Sequence, residues 1–239
     1  KKEVAQEVSK VFKDDCDDGR VDDFYNVDGI KSSGESEKRP KIMLAAHIDE
    51  IGLMVKNIDE KGFISFTTIG GVDQRILLSQ EVIVHGREPL FGVIGAKPPH
   101  LQRPGERGKA VKMEDMTIDL GLPAKEVKSL VRVGDIITFK SPLVSMQNQF
   151  VNGKSIDDRA GVAVLLETMK ELDKLRFDAD VYFVATVQEE VGTRGATIST
   201  YNVNPDIGIA IDVTHGDTPD SPKEETHEMD KGPSIAVGP

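Results

Sequence analysis

Seven consecutive residues, Val181-Tyr-Phe-Val-Ala-Thr-Val187, carry no charge and are rich in β-branched and aromatic side chains; Gln188 and the pair Glu189-Glu190 follow. A run of that composition reads as a buried strand. Two adjacent carboxylates at its end repel each other in a dry setting unless a cation sits beside them. One of the two can then ligate the cation while its neighbour moves protons. The bland alternative is a solvated loop carrying two surface acids.

The chain has 239 residues, enough for one large domain or two smaller ones. A hydrophobic share of 38% and a charged share of 30% fit a soluble globular protein. No apolar run approaches the ~20 residues of a membrane span, and the first residues, Lys-Lys-Glu-Val-Ala-Gln-Glu-Val, lack a signal-peptide core. The single cysteine, Cys16, excludes an internal disulfide and points to a cytoplasmic location. A net charge of -11 argues against nucleic acid or an anionic membrane as partner. With no tryptophan and 5% aromatics, few platforms exist for stacking sugars or bases.

Val4, Val8, Val11 and Phe12 lie at helical spacing and predict a helix over 2–13. The acidic stretch Asp14–Gly19 ends it. An EF-hand reading fails there, because with Gly19 in sixth place Cys16 falls third and Tyr25 twelfth. Residues 21–31 read as a weak strand or hairpin, and 41–46, 52–55 and 63–66 as strands. From Gly70-Gly71 onward short strands recur, at 81–84, 90–96, 116–120 and 135–139, with one helix at 124–130. A helix over 159–175 and strands over 181–188 and 207–211 then restore an α/β rhythm. The expectation is an α/β domain built from 1–69 and 148–239, interrupted by a β-rich insert at 70–147. A helix at the very start and the apolar stretch Ser234-Ile-Ala-Val237 just before Pro239 suggest a piece of a longer protein.

Four places in this plan carry candidate ligands. His47 directly follows the strand 41–46, where open α/β sheets bind ligands. Asp49, two residues on, is placed to accept the other ring N–H and fix the tautomer. Asp157-Asp158 precede the helix at 159; one of them suffices for capping, leaving the other to face a site. Asp212 follows the strand 207–211, and Glu190 the strand 181–188. Each has an ordinary reading as a turn or loop residue, but four coinciding at one edge favour a site. Asp157, Glu190 and Asp212 bring three negative charges, which two divalent cations and a bridging hydroxide bring near neutrality. Oxygen and imidazole donors without thiolate suit zinc, cobalt or manganese.

These residues resemble the M42 family of metallo-aminopeptidases. The resemblance rests on Ala46-His47-Ile-Asp49-Glu-Ile-Gly52, Ser155-Ile-Asp157-Asp158-Arg-Ala-Gly161, Val187-Gln-Glu189-Glu190-Val-Gly192 and Asp212-Val-Thr214. Gly192-Thr-Arg-Gly-Ala196, Gly216-Asp-Thr-Pro219 and Ile94–His100 extend it, in one order over most of 40–239. It implies a mixed-sheet α/β/α zinc-peptidase-like domain with an inserted dimerisation domain, through which subunits build homo-oligomers, dimers assembling up to a dodecamer. It also implies two divalent metal ions, zinc or cobalt, and removal of N-terminal residues from peptides. His47 and Asp212 would hold one metal, Glu190 the other, and Asp157 both. Glu189 would be the general base, and Asp49 would orient His47. The family carries a further ligating histidine beyond Pro239, so residues 1–239 alone are expected to hold the second metal hardly at all. His215 is the residue within them that could in principle replace it. Val21-Asp-Asp-Phe-Tyr25-Asn26 also departs from the family's usual Asp-x-x-Gly-Asn.

Two rivals stand beside peptide hydrolysis. Some family members carry endoglucanase labels, but glycoside hydrolysis needs two acids facing each other across a sugar, and adjacent neighbours at a strand end are poorly placed for that. A catalytically inactive relative is the other.

Overall fold

The computed structural model describes residues 2–34, 36, 38–101, 109–219 and 221–236. Val237, the last residue of the apolar stretch near the end, lies outside them. The chain divides into two compact units: Lys1–Ile48, Ser155–Glu189 and Arg194–Pro239 form the first, Asp49–Lys154 and Glu190–Thr193 the second.

The first unit begins with helix α1 (Lys2–Asp15) and strands β1 (Asp18–Val21), β2 (Val27–Ser33) and β3 (Lys41–His47). The second unit contributes β4 (Gly52–Ile58), β5 (Ile64–Ile69), β6 (Glu81–His85), β7 (Pro89–Ala96), β8 (Met116–Asp119), α2 (Ala124–Leu130) and β9 (Ile136–Phe139), then the short pair β10 (Val144–Ser145) and β11 (Val151–Asn152). The chain returns with α3 (Ile156–Leu172), β12 (Ala179–Thr186), α4 (Arg194–Val203) and β13 (Ile207–Ala210).

In the first unit five strands form a mixed sheet in the order β1-β2-β12-β3-β13. β12 and β13 run parallel to β3, while β2 pairs antiparallel with β12 and with β1. The unbroken apolar character of β3 and β12 follows from helices on both faces. Side chains alternate along a strand, so Leu44, Ala46, Val181, Phe183 and Ala185 point one way, into a core shared with α1 and α3. Met43 and Val184 point the other way and meet Val203 of α4. The fold class is therefore mixed α/β, as expected. Helix α4 is an addition to that expectation, and α3 ends at Leu172 instead of residue 175.

In the second unit six strands close into a barrel, β4-β5-β8-β7-β6-β9, with β9 pairing back to β4. Its interior takes alternate residues, among them Leu53, Val55, Ile64, Val82, Ile118 and Ile137. The insert was expected to start at residue 70. It starts at Asp49 instead, because β4 and β5 pair with each other and with β9 and β8, not with the five-stranded sheet. If the insert makes a subunit contact, strands 81–84 and 90–96 are expected to present apolar or unpaired edges for a partner to cover. Barrel closure leaves neither strand an unpaired edge, since β6 bonds β7 and β9 while β7 bonds β6 and β8. Exposed apolar side chains do remain on β7, Phe91 at 48% and Val93 at 37%. Among the described residues no helix is long and apolar enough to cross a membrane.

Candidate metal centre

Parallel pairing brings three chain ends to one level. Thr186, the last residue of β12, pairs with His47, the last of β3. Ala210 pairs with Ala45, and the Ile211 N–H donates to Ala45 O at 2.8 Å, which carries the next residue, Asp212, to the level of His47. The first turn of α3 supplies the fourth segment. Asp157 and Asp158 keep non-helical backbone angles there, and the peptide bond joining them is cis.

The two aspartates do different things. Asp158 is wholly buried; its Oδ1 accepts the Gly161 N–H at 3.0 Å and caps the helix, while its Oδ2 accepts the His47 N–H at 3.1 Å. Burial, helped by the nearby charge of Asp212, pushes its carboxyl up to about 6 against the two N–H donors and His47. Asp157 is left to face the imidazole, with its Oδ1 3.0 Å from Nε2 of His47. His47 itself is only 3% exposed, so its ring is held by packing. One ligand atom each from His47, Asp157 and Asp212 lie within 4.8 Å of one another.

This donor set fits a divalent cation. Bonds of ~2.0–2.2 Å in a tetrahedral shell hold donors about 3.4 Å apart, so closing the set up is a matter of side-chain rotation. The Asp157 side chain is 58% exposed and has room to turn. A neutral imidazole with two carboxylates leaves such a set anionic, and a borderline-hard cation answers both the charge and the donor type.

Glu189 stands beside this group, its Oε2 3.8 Å from Nε2 of His47 and its side chain 34% exposed. Glu190 and Asp49 belong to the second unit. There the Glu190 N–H donates to Oδ2 of Asp49 at 3.4 Å, and the Glu190 side chain lies against Gly70, whose φ is 78°. A Cβ at Gly70 would come 3.0 Å from Oε2 of Glu190. His215 sits after β13, where its carbonyl accepts the His227 N–H at 2.9 Å.

Sequence reasoning missed one residue of this region. Asn26 is wholly buried and bonds the loop after β12, through Val187 and Gly195. The signal lay in Asp22 and Asn26 just before β2, which keep the first and last residues of the family's Asp-x-x-Gly-Asn while Tyr25 takes the place of its glycine.

The sequence profile of the M42 glutamyl aminopeptidase family matches residues 29–238. A lysyl aminopeptidase of Pyrococcus furiosus is 33% identical over 237 residues, 97% of this chain and 66% of that protein. The solved aminopeptidase APDkam598 of the archaeon Desulfurococcus kamchatkensis is 39% identical, with a TM-score of 0.89 over 98% of this chain and 64% of that one. The TET1 peptidase of Pyrococcus horikoshii, whose structure is described as assembling into a tetrahedron or a large octahedral shell, is 33% identical, with a TM-score of 0.80 over 91% of this chain and 65% of that one. The chain thus spans just under two thirds of the length of each of these relatives. With a profile match over most of its residues, and His47, Asp157 and Asp212 gathered at one edge of its sheet, the chain belongs to the M42 glutamyl aminopeptidase family.

Proposed function

We propose that this protein is a metal-dependent aminopeptidase that hydrolyses N-terminal residues from peptides. The observation that carries the reading is the cluster of His47, Asp157 and Asp212 with the Glu189 carboxylate 3.8 Å from the same imidazole nitrogen. Family membership and the aminopeptidase names of its relatives support it. On this reading the first unit is a zinc-peptidase-like catalytic domain. His47 and Asp212 would hold one divalent ion, Glu190 a second, and Asp157 would serve both; zinc or cobalt would suit the donors. Bound there, the ions supply Lewis acidity to a water and to the scissile carbonyl oxygen.

The protein's own groups do the rest. Asp158 fixes the backbone of His47 and so the direction of its ring. Asp49 completes the orientation of that ring. Glu189 takes a proton from the attacking water at Oε2 and returns it to the leaving amine nitrogen. The second unit joins subunits into a homo-oligomer, in keeping with the assembly described for the TET1 peptidase.

Glu189→Gln keeps size and hydrogen bonding but removes basicity. It is expected to lower kcat by ~10²–10⁴-fold while bound metal, measured by elemental analysis, stays at the wild-type level. Glu190→Gln is expected to lose metal. If Glu189→Gln strips metal and Glu190→Gln does not, the two roles are exchanged.

A further inference from the structure

We propose that Asn26 is a positioning residue for Glu189, clamping both ends of the loop on which that carboxylate stands. This rests on the reading of Glu189 as the base. Asn26 lies between β1 and β2, far from Glu189 in sequence, and its side chain is wholly buried. Its Oδ1 accepts the Val187 N–H at 3.0 Å, two residues before Glu189. Its Nδ2 donates to Gly195 O at 3.3 Å, on the far side of the loop, and to Oδ2 of Asp22 at 2.8 Å. The loop closes on the same point, with the Gly195 N–H donating to Val187 O at 2.9 Å and the Arg194 N–H to Gln188 O at 3.2 Å.

The amide has one workable orientation. Turned over, it would set NH₂ against the Val187 N–H and its carbonyl against the Asp22 carboxylate. Asp22 is held in turn, its Oδ1 accepting the N–H of Phe24 at 2.8 Å and of Asn26 at 2.9 Å. Between them Tyr25 takes a left-handed backbone, φ 74°, which turns the chain tightly enough for Asn26 to point inward. At the other end Gly195 admits the amide, because a Cβ there would collide with Val187 O and Oδ1 of Asn26. Gln188 is also left-handed, φ 59°, so the residue before Glu189 has no relaxed extended backbone to set the carboxylate's direction. The clamp sets it instead. Polar groups that hold a reacting group in place matter through sub-ångström geometry.

The test uses the full-length protein loaded with metal and a panel of aminoacyl-p-nitroanilides. Asn26→Ala is expected to lower kcat by ~10²-fold, with KM and bound metal within about twofold of wild type. Amide hydrogen exchange over residues 183–195 is expected to speed up at the same time. In the Glu189→Gln background the same substitution is expected to lower kcat by less than about twofold further, since the group it positions is already disabled. Equal losses in both backgrounds, or unchanged exchange with unchanged kcat, overturn the proposal. A Glu189→Gln variant that alone keeps wild-type kcat shows instead that the reading of the base has failed, and takes this inference with it. Should Asn26→Ala not fold, Asn26→Asp keeps the volume and the acceptor for Val187 but sets a carboxylate oxygen against Gly195 O and Asp22. Its kcat is expected to fall, and wild-type kcat in that variant overturns the proposal as well.

Discussion

Asp157 and Asp158 show how two neighbouring carboxylates divide tasks that one could not combine. Asp158 spends both oxygens on N–H groups of the protein, at Gly161 and His47, and is shut away from solvent. Asp157 therefore has its carboxylate to offer at the imidazole. The sequence already suggested that capping needs only one of them, but which one was decided by a partner, His47, that lies 111 residues away in the chain. The lone thiol makes a clean probe at this scale. Cys16 is half-buried beneath the sheet, its Sγ 3.7 Å from Sδ of Met169. Burial, aided by Asp17, Asp15 and Asp173 and opposed by Lys31, pushes the thiol up from 9.0 to about 11. Its folded value lies above its unfolded one, so the fold favours the protonated form. This contribution to stability is complete below pH 9.0 and is lost as pH rises through about 11. Only the thiolate displaces iodide from iodoacetamide, so labelling at pH 8 is expected to be slow in the native protein and fast in urea. Equal rates in the two states would show that the thiol is not held in its neutral form.

Helix α4 formed against its own composition. Arg194-Gly-Ala-Thr-Ile-Ser-Thr-Tyr-Asn-Val203 contains a glycine, several Ser and Thr hydroxyls and few strong helix formers, so local preference predicts little. Gly195, Ser199 and Val203 are the buried residues, four apart, and they form the stripe that packs on the sheet. Tertiary packing makes this helix, which is why a reading by propensity passed over it. Strands β3 and β12 were legible for the opposite reason: a sheet covered on both faces needs unbroken apolar runs, and the runs announce it. The start of the barrel was not legible, because β4 and β5 alternate like any half-buried strand and nothing local says which sheet they join. These differences give a measurable contrast. Phe183 of β12 is wholly buried in the core shared with α1 and α3, so Phe183→Ala is expected to cost about 3–5 kcal/mol in denaturant unfolding. A cost under about 1 kcal/mol would mean that this core repacks around the gap, contrary to the close packing expected of interiors.

At the scale of the whole molecule the barrel carries the proposed subunit contact. Its interior is filled by its own side chains, while His47, Asp157 and Asp212 all belong to the first unit. Its outer surface nevertheless carries Phe91 and Val93 on β7, with Ile136 of β9 43% exposed. β6 lies between these two strands and places Ile83 opposite Phe91, so the apolar residues share one outer face. Lys140 stands over the Phe91 ring, its Nζ 4.7 Å from the centroid, a polar margin of the kind that rims protein interfaces. If a second copy covers this face, the double substitution Phe91→Asp and Val93→Asp sets two carboxylates where water has been expelled. One unpaired buried charge costs several kcal/mol, and a loss of about 4 kcal/mol weakens association ~10³-fold. Both side chains point away from the barrel core, so the variant is expected to keep its circular dichroism spectrum and its melting transition. Light scattering of the full-length protein at micromolar concentration should then report smaller particles than wild type. A variant that is folded and has the wild-type mass would exclude this face as the subunit contact and leave the barrel without the role proposed for it.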